Sequence, residues 1–123
     1  MPDGRRSRPG SRHRNSCLRR RLKQAHAKLL ALKSKVYEAL LEMEGAAFAE
    51  GDLSKKHKEL IAVGISVVID CESCMQWQIE QAALAGAIRR EVLEALEVGM
   101  EMGGGPATAS TRFALEVMES VFE

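Results

Sequence analysis

KELIAVGISVVIDCESC, residues 58–74, admits two folds. Read from Ile61 to Ile69 alone, its Val and Ile content suits a buried strand, and a strand running into a helix that begins with Cys-x-x-Cys is the thioredoxin arrangement. Read as a helix, the segment starts from the N-cap candidates Asp52 and Ser54 and runs through Lys55, Glu59 and Val63 to about Ile69, buried on most sides. The rest of the chain decides between them. No further run has strand character and no WCGPC signature occurs. Ala, Leu, Glu and Val dominate while aromatics make up 4%, a balance that suits packed helices better than a sheet. The sequence predicts an all-α fold.

Working outward, apolar residues at Leu18, Leu22, Ala25, Leu29, Leu32, Val36, Ala39 and Met43 step by four and three, the mark of one face of a single long helix that ends between Gly45 and Gly51. Downstream of the cysteines a helix is expected over roughly Ser73 to Ala85, with Gly86 closing it, and another from Arg89 to Met102. Gly103-Gly104-Gly105-Pro106 should break the chain before a last helix that runs through Phe113, Leu115 and Val117 to Phe122. The triple glycine lacks the Lys-Ser/Thr pair of a phosphate loop and the spacing of a dinucleotide fingerprint. A tight turn or close helix packing accounts for it better.

At 123 residues the chain predicts one folded unit, of about five helices over 18–123, small enough that oligomerisation would aid its stability. The formal net charge of +1 hides an asymmetry: residues 1–35 carry twelve Lys/Arg against one acid, and residues 36–123 six against sixteen. Residues 1–17, rich in Arg, Ser, Pro and Gly, read as a disordered basic tail. This tail has no interleaved aromatics and no nucleic-acid-binding motif, so functional nucleic-acid binding is not expected. No stretch reaches the ~18 consecutive apolar residues of a membrane span, and no signal-peptide core follows the Arg-rich start. The expected location is cytoplasmic, with no membrane association.

Cys71 and Cys74 carry the chemistry. Two thiols two residues apart can close a small disulfide and so store two electrons; at a helix N-terminus the unpaired N–H groups and the macrodipole favour a thiolate. In a reducing compartment such a pair is better explained by catalysis or metal binding than as a staple. A zinc site would need two more ligands from Cys17, His13, His26 and His57, which are scattered, so no metal and no other cofactor is expected. Glu59, twelve residues before Cys71, can face the thiols only if the chain folds back. On its own it reads as part of a solvated turn with Lys55, Lys56 and Lys58. Trp77, the lone tryptophan, adjoins the pair and could cover a disulfide, or serve as core or interface.

Glu59, an eleven-residue gap, the Cys-x-x-Cys pair, the phrase CESCMQWQIEQAALAG over 71–86 and the later MGGGPA break together resemble the carboxymuconolactone decarboxylase superfamily, in particular its AhpD-like alkylhydroperoxidase branch. The resemblance covers about 38–119. It implies an all-helical domain built around a helical hairpin, assembled as trimers or hexamers with sites near subunit contacts. It also implies a thiol-dependent oxidoreductase, peroxiredoxin-like in its antioxidant peroxidase activity, that acts on a small hydroperoxide. Cys74 would be oxidised to a sulfenic acid and Cys71 would resolve it into a disulfide. A dithiol or lipoyl-type protein reductant would restore the thiols, and Glu59 would belong to the proton relay. The sequence departs from the branch at Gln78, where the family usually has His, and at Ser73, where AhpD itself has a second His. Gln cannot take up a proton near neutral pH. A catalytically weakened helical oligomer or redox sensor is therefore the alternative to an active peroxidase. Lactone decarboxylation is disfavoured, because the decarboxylases generally lack the cysteine pair.

Overall fold

The computed structural model describes residues 9–123, with side chains described from residue 17. Its elements are five helices and no strand among those residues: α1 (Pro9–Ala31), α2 (Lys35–Ala47), α3 (Lys55–Val68), α4 (Glu72–Leu84) and α5 (Arg89–Val121). The stretch 58–74 is therefore helical up to its turn, and the all-α expectation is met.

The helices are partitioned differently from the sequence reading. The long stripe from Leu18 to Met43 is cut in two because Lys33 takes a left-handed conformation (φ 55°). The Ser34 N–H donates to Leu29 O at 3.3 Å and the Lys33 N–H to Leu30 O at 3.1 Å, a Schellman closure of α1. Ser34 then caps α2, its Oγ accepting the Tyr37 N–H at 3.2 Å. The two helices expected either side of the triple glycine are present as two helical stretches that meet within α5 at a kink. Gly104 leaves helical geometry there (φ 68°, ψ −147°). Of the basic tail expected over 1–17, residues 1–8 lie outside the described residues. From Pro9 the backbone is helical, with proline at a first-turn position where its missing N–H costs nothing.

α3, α4 and α5 form the core. Val63 and Val67 from α3, Met75, Ile79 and Ala82 from α4, and Val92, Leu96, Ala114 and Val117 from α5 are all fully buried. The α3–α5 crossing is backbone to backbone: a Cβ on Gly99 would lie 2.6 Å from Gly64 O and 2.6 Å from Val67 Cγ2. An ion pair between Lys56 and Glu91 (3.0 Å) ties the start of α3 to the start of α5. The opposite face of α3 stays open. Ile61, Ile65 and Val68 are about half exposed, so this helix is covered on one side and not on most sides. The α1–α2 hairpin lies outside the core, where α2 buries no residue at all. No helix among the described residues is long and apolar enough to cross a membrane.

Candidate functional site

The turn between α3 and α4 has no linker residues to spare. Asp70 adopts φ 52°, and the Cys71 N–H donates to Ser66 O at 3.1 Å, while the Asp70 N–H donates to Val67 O at 3.3 Å. This repeats the closure seen at Lys33, here with an Asp whose carboxylate is held from outside: Ser110 Oγ on α5 donates to Asp70 Oδ1 at 2.7 Å. Cys71 is thus the residue that completes α3 with its backbone. It is also the N-cap of α4, for its Sγ accepts the Cys74 N–H at 3.1 Å. Cys71 and Cys74 are joined in a disulfide with their Cα atoms 5.1 Å apart. Both are half-buried. When reduced, the Cys71 sulfur sits where a backbone N–H and the positive end of the α4 dipole favour the thiolate.

Glu59 is not in a solvated turn. It is 2% exposed, and among the described residues its one bonded partner is Lys55, whose Nζ donates to Oε1 at 3.1 Å. Oε2 is buried without a hydrogen bond. Burial raises the Glu59 carboxyl above its ordinary value; Lys55 opposes this, and the charge of Glu44 reinforces it. Glu59 lines a cavity of about 280 Å³ together with Glu44, Phe48, Lys55, Trp77 and Gln81.

The antiparallel hairpin of α3 and α4 sets the distance from this carboxylate to the sulfurs. Glu59 stands across from Gln81, not from Cys71, and seven residues of helix separate Gln81 from Cys74, roughly 10 Å at the usual rise. Neither cysteine lines the cavity that Glu59 lines. Gln78 occupies the interval: Cys74, Gln78 and Gln81 fall on one face of α4 at positions i, i+4 and i+7. Its Oε1 is buried and has no hydrogen-bond partner. His57 does not substitute for a missing relay group, because its ring bonds Ser54 Oγ at 2.6 Å on the exposed start of α3. No group of three or more His, Cys, Asp or Glu placed to hold a metal occurs among the described residues.

Two residues of the site carried no signal in the sequence. Glu44, from α2, accepts the Trp77 Nε1–H at 3.0 Å, so Trp77, 45% exposed and outside the core, ties α2 to α4. Gln76, one residue before Trp77, is 3% exposed and hidden beneath α1. Both depend on where the α1–α2 hairpin lands, which no local pattern encodes.

The family model of the carboxymuconolactone decarboxylase family matches residues 34–117. "Uncharacterized protein 4 in cox locus" of Paracoccus denitrificans is 34% identical over 84 residues, 68% of this chain and 76% of that protein. An uncharacterised protein of Cupriavidus necator is 32% identical over 107 residues, 85% of this chain and 95% of its own length. Among solved structures, the apo form of a carboxymuconolactone decarboxylase family protein from Legionella pneumophila superposes with a TM-score of 0.84 at 29% identity, covering 89% of this chain and 98% of that one. A Thermotoga maritima protein shares the fold at a TM-score of 0.74 and 24% identity, over 80% of this chain and 89% of its own.

Proposed function

This chain belongs to the carboxymuconolactone decarboxylase family, and we propose that it acts there as a thiol-dependent oxidoreductase of the AhpD-like branch, cycling Cys71 and Cys74 between dithiol and disulfide. The observation that carries this reading is the disulfide at the N-terminus of α4, with the Cys71 sulfur accepting a backbone N–H.

In the proposed cycle the Cys74 thiolate attacks the distal oxygen of a small hydroperoxide. The O–O bond breaks, the organic fragment leaves as an alcohol after gaining a proton, and Cys74 becomes a sulfenic acid. The Cys71 thiolate then attacks the Cys74 sulfur, forming the S–S bond and expelling the hydroxyl group as water. A dithiol or lipoyl-type donor closes the cycle by attack on Cys74. Cys71 leaves because the sulfur with the better-stabilised thiolate is the better leaving group. In sum, two thiols and one hydroperoxide give one disulfide, one alcohol and one water.

Glu59, its proton affinity raised by burial, is the proposed proton acceptor for the thiols. Gln78 is a polar step between it and Cys74 that can orient a hydrogen bond but cannot carry charge. The open row of Ile61, Ile65 and Val68 favours self-association as a homo-oligomer, a trimer or hexamer, and the redox cycle fits a reducing, cytoplasmic setting.

The test is a thiol titration of the reduced protein before and after a stoichiometric dose of hydroperoxide, with mass mapping of the product. Loss of two thiols into a Cys71–Cys74 bridge, and loss of turnover in Cys74→Ser, are expected. Thiols that survive peroxide, or a Cys74→Ser variant that turns over normally, would sink the reading. Gln78 favours a second reading, a weakened peroxidase kept as a redox sensor. A large gain of peroxidase rate in Gln78→His favours it, and brisk wild-type turnover argues against it.

A further inference from the structure

α2 contributes Leu41, Glu44 and Gly45 to the cavity of about 280 Å³ that Glu59 lines. The charged groups along its walls are the carboxylates of Glu44 and Glu59 and the ammonium of Lys55. Lys55 Nζ donates to Glu59 Oε1 at 3.1 Å and lies 5.8 Å from the centre of the Phe48 ring, at the end of α2. With a proton on Glu59, the cavity holds one negative and one positive charge. Without it, two carboxylates share one cation in a partly desolvated space, where like charges are costly.

α2 is poorly fastened against that imbalance. It buries no residue, and a helix of 13 residues is marginal in water by itself. Among the described residues two side-chain hydrogen bonds tie it to other helices. Trp77 Nε1–H on α4 donates to Glu44 at 3.0 Å, and the His26 ring on α1 bonds the Tyr37 hydroxyl. The first of these also sets Glu44 in the cavity wall. On its other side Glu44 lines a larger cavity with Arg19, Lys23, His26 and Glu80. Arg19 and Glu80 pair with each other at 3.5 Å, which leaves Lys23 and His26 to act on Glu44 from α1. Before α3, Glu50 accepts the Lys55 N–H at 3.2 Å. The α4 residues that share the cavity with Glu59, Trp77 and Gln81, carry no charge.

We propose that Glu44 and Trp77 are positioning residues for the Glu59 proton: their hydrogen bond docks α2 while Glu59 is protonated, and loss of that proton releases it. The coupling is reciprocal, so a docked α2 also holds the proton on Glu59. In line with this, Glu44 adds to burial, the larger cause, in raising the Glu59 carboxyl above its ordinary value. In the proposed redox cycle α2 would close as Glu59 takes a proton from the thiols and open as Glu59 gives it up. That step rests on the proposed role of Glu59; the docking itself does not.

The test uses the full-length, oxidised protein, so that no turnover enters. Glu59 is followed by NMR of its carboxyl carbon, and α2 by the emission of Trp77, the lone tryptophan. Trp77 emission should change in a step that coincides with the Glu59 titration and is absent from Glu59→Gln, whose neutral side chain mimics the protonated acid. Glu44→Gln keeps an acceptor for the Trp77 N–H and removes the charge. There the Glu59 titration should move to lower pH and the Trp77 step should shrink. Three results would each overturn the proposal: a Glu59 midpoint unmoved in Glu44→Gln; no Trp77 change across the wild-type Glu59 titration; or a Trp77 step that survives Glu59→Gln and so belongs to His26. Reduced protein separates this inference from the redox reading. A Glu59 midpoint that moves in Glu44→Gln while the pH profile of thiol oxidation stays in place would uphold the docking and remove Glu59 from the proposed cycle.

Discussion

Alanine at Gly99 and alanine at Gly45 are the same chemical change, and the structure assigns them opposite signs. At Gly99 the new Cβ would sit 2.6 Å from Gly64 O and 2.6 Å from Val67 Cγ2. Ordinary contact begins at 3.4 Å, so α3 and α5 must part by the difference between 3.4 and 2.6, about 0.8 Å. Neither neighbour can yield alone, since one is a helix carbonyl and Val67 is fully buried. Overpacking of this kind costs ~1–3 kcal/mol, and the better helix propensity of Ala returns about 1 kcal/mol. The net expectation is a loss of about 0–2 kcal/mol, centred near 1. Gly45, inside α2, has nothing within 4 Å of its Cβ position, so only the propensity gain of ~0.5–1 kcal/mol remains. The two variants should then differ by roughly 2 kcal/mol, about 1 M in urea midpoint at the usual slope for a small domain. Urea unfolding followed by Trp77 emission and by far-UV circular dichroism measures it. A Gly99→Ala midpoint at or above that of Gly45→Ala, at unchanged slope, would refute the backbone-to-backbone crossing. The same displacement reaches the site, because Ser66 O and Val67 O close the turn into Cys71; the Cys71–Cys74 disulfide of Gly99→Ala should be reduced faster.

Burial holds the Glu59 carboxyl above its ordinary 4.5, so the folded chain keeps a proton that the unfolded chain has already released. Any stability this carboxyl contributes is complete below 4.5 and is lost as pH rises through the raised value. Measured against Glu59→Gln across that window, wild-type stability should therefore decline with pH; a flat difference would contradict the burial argument. Glu91 titrates with the opposite sign, its carboxyl lowered by the Ile88 N–H and by Lys56, so Glu91→Gln should be nearest to wild type in acid and fall behind it as pH rises. Ser110→Ala removes the hydrogen bond that holds Asp70, at a cost of about 1 kcal/mol or less. It should speed disulfide reduction by dithiothreitol, and an unchanged rate would show that the turn holds itself. Measured against the reduced wild type, Cys71→Ser should keep the α4 cap and fold with near-equal stability, whereas Cys71→Ala should lose about 1 kcal/mol; equal midpoints for the two variants would mean that the side chain does not cap.

Three helices end in the same closure, and one of them was legible. Gly86, at φ 97°, is the residue type that the closure favours, so the end of α4 could be read directly. At Lys33 and Asp70 ordinary residues take the left-handed conformation, and the apolar stripe runs past Lys33 without a break in period. The continuity seen from Leu18 to Met43 was real as a pattern and false as a helix. At the triple glycine the break was legible too: Gly104 takes φ 68° and ψ −147°, and two helical stretches meet there at a kink within α5. Glycine marks such a point in the sequence; a left-handed Lys or Asp does not.

The candidate site was legible to the same depth. Taken alone Glu59 read as part of a solvated turn, and only the family resemblance joined it to the two cysteines; the hairpin folds Glu59 back along α4 into a buried position. The register of that hairpin could not be read, because it depends on a turn that spends only Ile69, Asp70 and Cys71 between helices. A turn that short places Glu59 beside Gln81 at one cavity. In the proposed cycle the departure at Gln78 bears on the step between Glu59 and Cys74, not on the disulfide itself. The N-cap geometry of Cys71 and the short reach between the sulfurs are independent of residue 78. A chain built this way can keep thiol–disulfide exchange while losing speed in the step that moves a proton, and that is the order in which substitutions at Gln78 and at Cys71 should separate the two activities.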